Sequence, residues 1–341
     1  MPSPFMTRVG SRMLLAGIVL TAASLSQAAT ITINMQNGAA DANYYPAGYT
    51  GTHDTTIYYY AGSTGGATPT ATDVYPRTNA GANNTIRVRE GSTNNRGLIR
   101  FDTSALQNKG ITVTSATLTF RQSSAGAATG TVLQLFKIAD ANAGWNEGNG
   151  NVASHNPVNT PTVATSVGEP TFWYKSIGTL YPTAVLPDGG NPSSTDSTGT
   201  RWASGYASMG VAGSTPTYLA GGLWNVTDLQ DWNTATPATN ATIATTLDPV
   251  GTGASTATVG NLMTITLPAA LVQSWIDSPS TNAGLFMRYN GGSTNIDFNS
   301  SEASTISQRP LLSIVAEVPE PAALGLTSAF GLIALRRARK A

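Results

Sequence analysis

The sequence predicts an all-β fold: a jelly-roll-like antiparallel β-sandwich with long loops and one short helix, set between two terminal hydrophobic segments that read as signal helices. Three observations predict it. Short stretches alternate apolar and polar residues with period two, clusters of Gly, Asn and Pro bound them, and helical periodicity is confined to one place. A mixture rich in Gly, Ala, Thr, Ser and Asn would by itself suit a disordered chain. Six tryptophans and twelve tyrosines argue for a packed core instead.

The elements follow in chain order. Arg8 and Arg12, an apolar run from Met13 to Leu25, and small residues at Ser26 and Ala28 form an export signal over 1–28, with cleavage expected after Ala28. That run is shorter than the ~20 residues a helix needs to cross a bilayer, so a retained anchor is the lesser alternative. Tyr58, Tyr59 and Tyr60 fall on a strand and project to both faces, which leaves at least one of them exposed. Ile99 and Phe101 alternate inward. Arg100 and Asp102 then face the other way, where a guanidinium can hold a carboxylate through two bonds.

Residues 112–120 read as a strand that turns Val113, then Ala116, Leu118 and Phe120, toward a core. Residues 131–138, 262–267 and 311–315 read similarly. The single helix is expected over Ala269–Ile276, with Pro268 at its first position and Pro279 beyond its end. Between Asn149 and Gly222 lie Pro157, Pro161, Pro170, Pro182, Pro187, Pro192 and Pro216, which mark a loop-rich insertion inside one domain spanning 29–317.

The chain closes with Val318-Pro319-Glu320-Pro321, an apolar run over 322–335, and the basic cluster Arg336, Arg337, Arg339 and Lys340. Basic residues behind an apolar segment stay cytoplasmic, so residues 318–341 would stall the exported chain in a membrane. This order resembles the PEP-CTERM sorting signal of Gram-negative bacteria. The resemblance implies an exosortase acting at Pro319-Glu320-Pro321, a transient inner-membrane intermediate held through 322–335, and delivery to the cell surface or extracellular matrix. A permanent C-terminal anchor is the alternative.

Formal neutrality conceals an asymmetry. The two terminal segments hold six of the 18 basic residues and one of the 18 acidic ones, Glu320, which leaves 12 Lys+Arg against 17 Asp+Glu and a net charge of −5 for the remainder. A mildly acidic domain argues against nucleic acid, which needs a clustered basic face. With no cysteine, an exported chain has no disulfides and must rely on its core.

Further motifs carry a second resemblance. Asn95-Arg96-Gly97-Leu98-Ile99-Arg100-Phe101-Asp102, Ser104-Ala105-Leu106 and Ile111 to Leu118 are followed by Gly144-Trp145-Asn146-Glu147-Gly148 and Glu169-Pro170-Thr171-Phe172-Trp173. Then come Val272-Gln273-Ser274-Trp275, Asn282-Ala283-Gly284-Leu285, Phe298 to Ala303, and Arg309-Pro310-Leu311-Leu312. In order and spacing these resemble the DNRLRE domain over most of residues 54–316, with Phe172 interrupting the Thr-Trp segment. The resemblance implies a secreted β-sandwich related to carbohydrate-binding modules.

A sugar suits an aromatic ring beside hydrogen-bonding side chains, so Trp145, Glu147, Trp173, Tyr174 and Trp202 are the candidate ligand-binding residues, with Trp224 and Trp232 in similar contexts. Trp275 lacks such neighbours and is expected in the core. Ser300-Ser301-Glu302 ahead of Arg309-Pro310 suggests a carboxylate and guanidinium fixing a long loop against the last strand.

No catalytic residues are assigned. With only His53 and His155 a His-rich metal site has no support, and no nucleophile elbow, P-loop or dinucleotide motif is present. A carboxylate pair for glycoside cleavage would have to come from Glu90, Glu147, Glu169, Glu302, Asp102 or Asp297. No cofactor is called for; structural calcium finds oxygen donors at Asp188-Gly189-Gly190-Asn191 and Asp196. The expected function is a non-catalytic surface or matrix protein that binds or organises extracellular polysaccharide. A carbohydrate-active enzyme, lyase or hydrolase, and a purely structural adhesion protein are the alternatives. Ice binding ranks below them, because no Thr-x-Thr ladder repeats along the chain.

Overall fold

The computed structural model describes residues 28–60, 79–89, 93–124, 132–138, 140–151, 169–170, 174–176, 200–201, 249–256, 258–290 and 295–318. Its strands are β1 (Ala29–Gln36), β2 (Thr52–Tyr60), β3 (Thr85–Arg89), β4 (Thr93–Phe101), β5 (Thr112–Arg121), β6 (Val132–Lys137), β7 (Tyr174–Ser176), β8 (Thr200–Arg201), β9 (Gly251–Ala254), β10 (Leu262–Leu267), β11 (Leu285–Asn290), β12 (Asn295–Asn299) and β13 (Leu311–Val318). Among the described residues there is one α-helix, α1 (Ala269–Asp277). The chain is an all-β sandwich. One sheet runs β1-β13-β5-β10; the other runs β12-β3-β4-β11-β6-β9, with β2 paired to β4. Strands β7 and β8 form a separate two-stranded ladder.

Period-two alternation explains why these strands pack. From the four-stranded sheet, Ile33, Met35, Leu118, Phe120, Ile265, Leu312 and Ile314 are buried. They meet Ile86, Val88, Ile99, Phe101, Leu135, Met287 and Phe298 from the larger sheet in one core, where the Phe120 and Phe298 rings lie 5.1 Å apart. Each such side chain contributes roughly 1.5–3 kcal/mol when fully buried.

The change of phase within β5 has a local cause. Ser115 pairs with Val315 but Val113 pairs with Ala316, so Thr114 is an extra residue on β5. This bulge returns Val113 to the core side after the inward Ala116. The Thr114 hydroxyl donates to the Val315 carbonyl at 3.0 Å and stays exposed.

Helix α1 extends one residue past the expected end, and Pro268 stands just before it, with φ −58° and ψ 126°, rather than inside its first turn. Pro279 opens a 3-10 turn that follows. Val272, Trp275 and Ile276 face the core. Thr103 Oγ1 donates to the Trp275 carbonyl at 2.6 Å, and Gln273 Oε1 accepts from Val113 N–H, which ties the helix to two strand ends.

Among the described residues no helix is long and apolar enough to cross a membrane. The signal residues of 1–27, the sorting residues Pro319, Glu320, Pro321, Arg336, Arg337 and Arg339, and most of the 149–222 insertion lie outside the described residues.

Candidate functional site

The outer face of the four-stranded sheet is the first candidate. Alternation that buries one side of each strand exposes Thr30, Thr32 and Asn34 on β1, Thr112 and Thr114 on β5, and Thr264 and Thr266 on β10. Strand register then aligns them in rows. Gln36 lies beside Leu311, Thr119 and Thr264; Asn34 lies beside Ser313, Thr117 and Thr266. Neighbours in a row stand ~4.8 Å apart, and successive rows ~6.7 Å apart. The Thr119 and Thr264 hydroxyls hydrogen bond at 3.0 Å. Among the described residues, Glu317 and Arg121 are the only charged side chains on this face, on different rows toward opposite ends of β5. The result is a nearly uncharged face on which rows of hydroxyl and amide groups stand beside Leu262, Leu311 and Val315. Thr-x-Thr pairs stand on single strands at 30/32, 112/114, 117/119 and 264/266, and the pairing of distant strands sets them side by side.

The second candidate is an acidic node where three segments meet. Asp54 lies on β2, Glu147 in the loop after Trp145, and Glu302 in the turn after β12. Each offers an oxygen within 4.8 Å of the others. Glu147 Oε1 accepts from Asp54 N–H at 3.1 Å and from Ser301 Oγ at 3.1 Å. Asp54 Oδ2 accepts from Ser301 N–H at 2.7 Å, and Ser301 Oγ also contacts Glu302 Oε1 at 2.6 Å. Ser301 is thus the hub.

Burial sets the electrostatics. Desolvation, then the charges of Glu302 and Glu147, hold the Asp54 carboxyl well above the usual carboxylate range. Glu147 is pushed up to about 8, first by burial and then by Glu302. His53 is lowered by burial and by Arg100; its Nδ1 lies 3.7 Å from Glu147 Oε2, a polar contact longer than a hydrogen bond. Arg100 is itself lowered by burial.

Trp145 is not available as a sugar platform. It is 1% exposed, its indole N–H donates to the Ala283 carbonyl at 2.8 Å, and the Arg100 guanidinium covers its ring at 5.5 Å. Arg100 Nη2 also donates to the Trp145 carbonyl. The expected carboxylate fork at Arg100 is therefore replaced by a backbone bond and a ring contact. The two-bonded guanidinium–carboxylate pair is instead Arg87 with Asp297, at 2.7 and 2.8 Å. Glu147, expected beside a sugar, is spent on Asp54 and Ser301. Its loop is pressed against Gly81, where any side chain would meet the Glu147 and Gly148 carbonyls.

The 300–302 turn is fixed, but not by Glu302 with Arg309. Arg309 Nε donates to the Ala303 carbonyl and its Nη1 to the Asn37 carbonyl, leaving Glu302 to the acidic node. Trp275 is buried as expected, and so is Tyr58. Glu169 accepts from Asn149 N–H and Asn79 Nδ2, a loop-to-loop brace. Trp173, Trp202, Trp224, Trp232, His155, Asp188 and Asp196 lie outside the described residues; Tyr174 sits on β7, its side chain outside them.

Asp54 carried no sequence signal of its own. It lies 93 residues from Glu147 and 247 from Ser301, so only the fold unites the three. No protein-family model matches the chain, and no curated protein matches it.

Proposed function

We propose that this chain is an exported, exosortase-sorted surface or matrix protein whose β-sandwich binds extracellular polysaccharide without cleaving it. The observation that carries the reading is the hydroxyl lattice on the outer face of the β1-β13-β5-β10 sheet. A polysaccharide presents a repeating series of hydroxyls along an extended chain. A rigid sheet offering Thr, Ser, Asn and Gln groups at regular spacing meets it with donors and acceptors whose positions cost no further ordering. Charge agrees with this occupant, because a nearly uncharged face suits a neutral polymer. Nucleic acid would require clustered cations.

The export signal and the PEP-CTERM resemblance support an extracellular setting, and the DNRLRE resemblance supports carbohydrate as the ligand class. Retention of the purified full-length chain on gels containing neutral and acidic polysaccharides, including the producer's own, tests the proposal. Retardation on at least one supports it. Free migration on all of them counts against it, and release of unsaturated or reducing ends from any of them favours the enzymatic alternative.

A further inference from the structure

We propose that Asp54, Glu147 and Glu302, together with the Thr52 hydroxyl, form a binding site for a hard divalent cation of the calcium class. The carboxylates come from three distant segments and converge to within 4.8 Å. Convergence alone would be compatible with shared protons. A second feature points to a cation. Thr52 is 2% exposed, and its Oγ1 has no hydrogen-bond partner. Thr52 pairs with Phe101 and Asp54 with Ile99, and both β4 partners face the core. Two residues apart on one strand, Thr52 and Asp54 therefore project to the same side. Glu302 Oε2 is likewise shut from solvent and without a partner.

One oxygen within the carboxylate cluster, Glu302 Oε2, and one on the same face of β2 as Asp54, Thr52 Oγ1, are thus left unsatisfied, and buried polar atoms in native proteins are normally paired by protein, water or an ion. Donors already present do not meet the need. Ser301 serves Asp54, Glu147 and Glu302 through one N–H and one hydroxyl, and the Asp54 N–H adds one bond to Glu147 Oε1, which leaves Glu302 Oε2 and Thr52 Oγ1 unmet. Arg100 is turned onto the Trp145 ring and carbonyl. The donor set is all oxygen and carries up to three negative charges, the preference of calcium rather than of zinc or copper.

A cation here would join the edge strand β2 to the 145–148 loop and the 300–302 turn. This proposal is independent of the polysaccharide reading and concerns the other sheet. It is tested on the full-length chain, stripped with chelator and titrated with calcium chloride by calorimetry while the thermal midpoint is followed. Terbium luminescence excited through tryptophan gives a second readout, with Trp145 in the same loop as Glu147.

One equivalent of calcium is expected to bind and raise the midpoint as its concentration increases. Glu302→Gln, which keeps an acceptor for Ser301, and Thr52→Val are each expected to weaken binding, the former by more than about tenfold because ligand charge sets calcium affinity. Asp54→Asn is expected to abolish it. Absence of calcium heat and of any midpoint shift in the wild-type chain overturns the proposal. So does unchanged affinity in a folded Glu302→Gln chain, which would place the ion elsewhere.

Discussion

Replacing Trp145 separates a packing role from a sugar-binding one. Its ring is 1% exposed and makes one buried hydrogen bond, 2.8 Å to the Ala283 carbonyl. In Trp145→Phe that carbonyl loses its donor, at a cost of ~1–3 kcal/mol. Arg100, 5.5 Å from the ring centroid, keeps a weaker ring, a further loss of roughly 0.5–1 kcal/mol. The sum is about 1.5–4 kcal/mol, and Trp145→Ala should reach about 3–5 kcal/mol because a cavity remains. Urea unfolding followed by far-ultraviolet circular dichroism measures both. Polysaccharide retention, measured where the variants remain folded, should match wild type. A Trp145→Phe chain as stable as wild type would refute the packing assignment, and one that keeps its stability but loses retention would restore Trp145 to the binding face.

Other perturbations address the frame around the two sites. Gly284 has φ +81°, and a Cβ there would collide with the Ile99 carbonyl, so Gly284→Ala should cost at least ~2 kcal/mol in the same unfolding assay. Asp297→Ala removes both carboxylate bonds of the Arg87 guanidinium, and a loss of about 3 kcal/mol is expected, with Arg87→Met/Asp297→Leu recovering much of it. Deleting Thr114 leaves Val113 two residues from Ala116, in phase with it on the core side, so hydrogen exchange should show protection in β5 and β13 retained; lost protection there would refute the bulge assignment. Ser301→Ala removes the hydroxyl that contacts both Glu147 and Glu302, and should destabilise by ~1–3 kcal/mol.

The sandwich was legible because burial imposes period two on any strand with one face in a core. Residues 263–267 alternate, and Met263, Ile265 and Leu267 are buried, while the adjacent apolar Leu262 is exposed on the outer face. The phase change between Val113 and Ala116 was visible too, while its cause, a bulge opposite β13, needed a partner strand. Tryptophan chemistry misled at Trp145, since a ring beside Asn and Glu in a glycine-rich loop reads the same whether it points outward or inward. The threonine lattice and the acidic node were illegible for a shared reason. Thr119 meets Thr264, and Asp54 meets Glu302, only through long-range pairing, which no local pattern encodes.

The central claim concerns the hydroxyl lattice, and affinity electrophoresis of a chain carrying Thr117→Val, Thr119→Val, Thr264→Val and Thr266→Val tests it most directly. Valine keeps the shape and strand preference of threonine while removing the hydroxyl. At ~1 kcal/mol per lost contact the four changes remove roughly 4 kcal/mol, enough to abolish retardation on a polysaccharide that retains wild type. That loss, with unfolding behaviour preserved, is the expected result. Equal retardation of the variant and wild type would contradict the account.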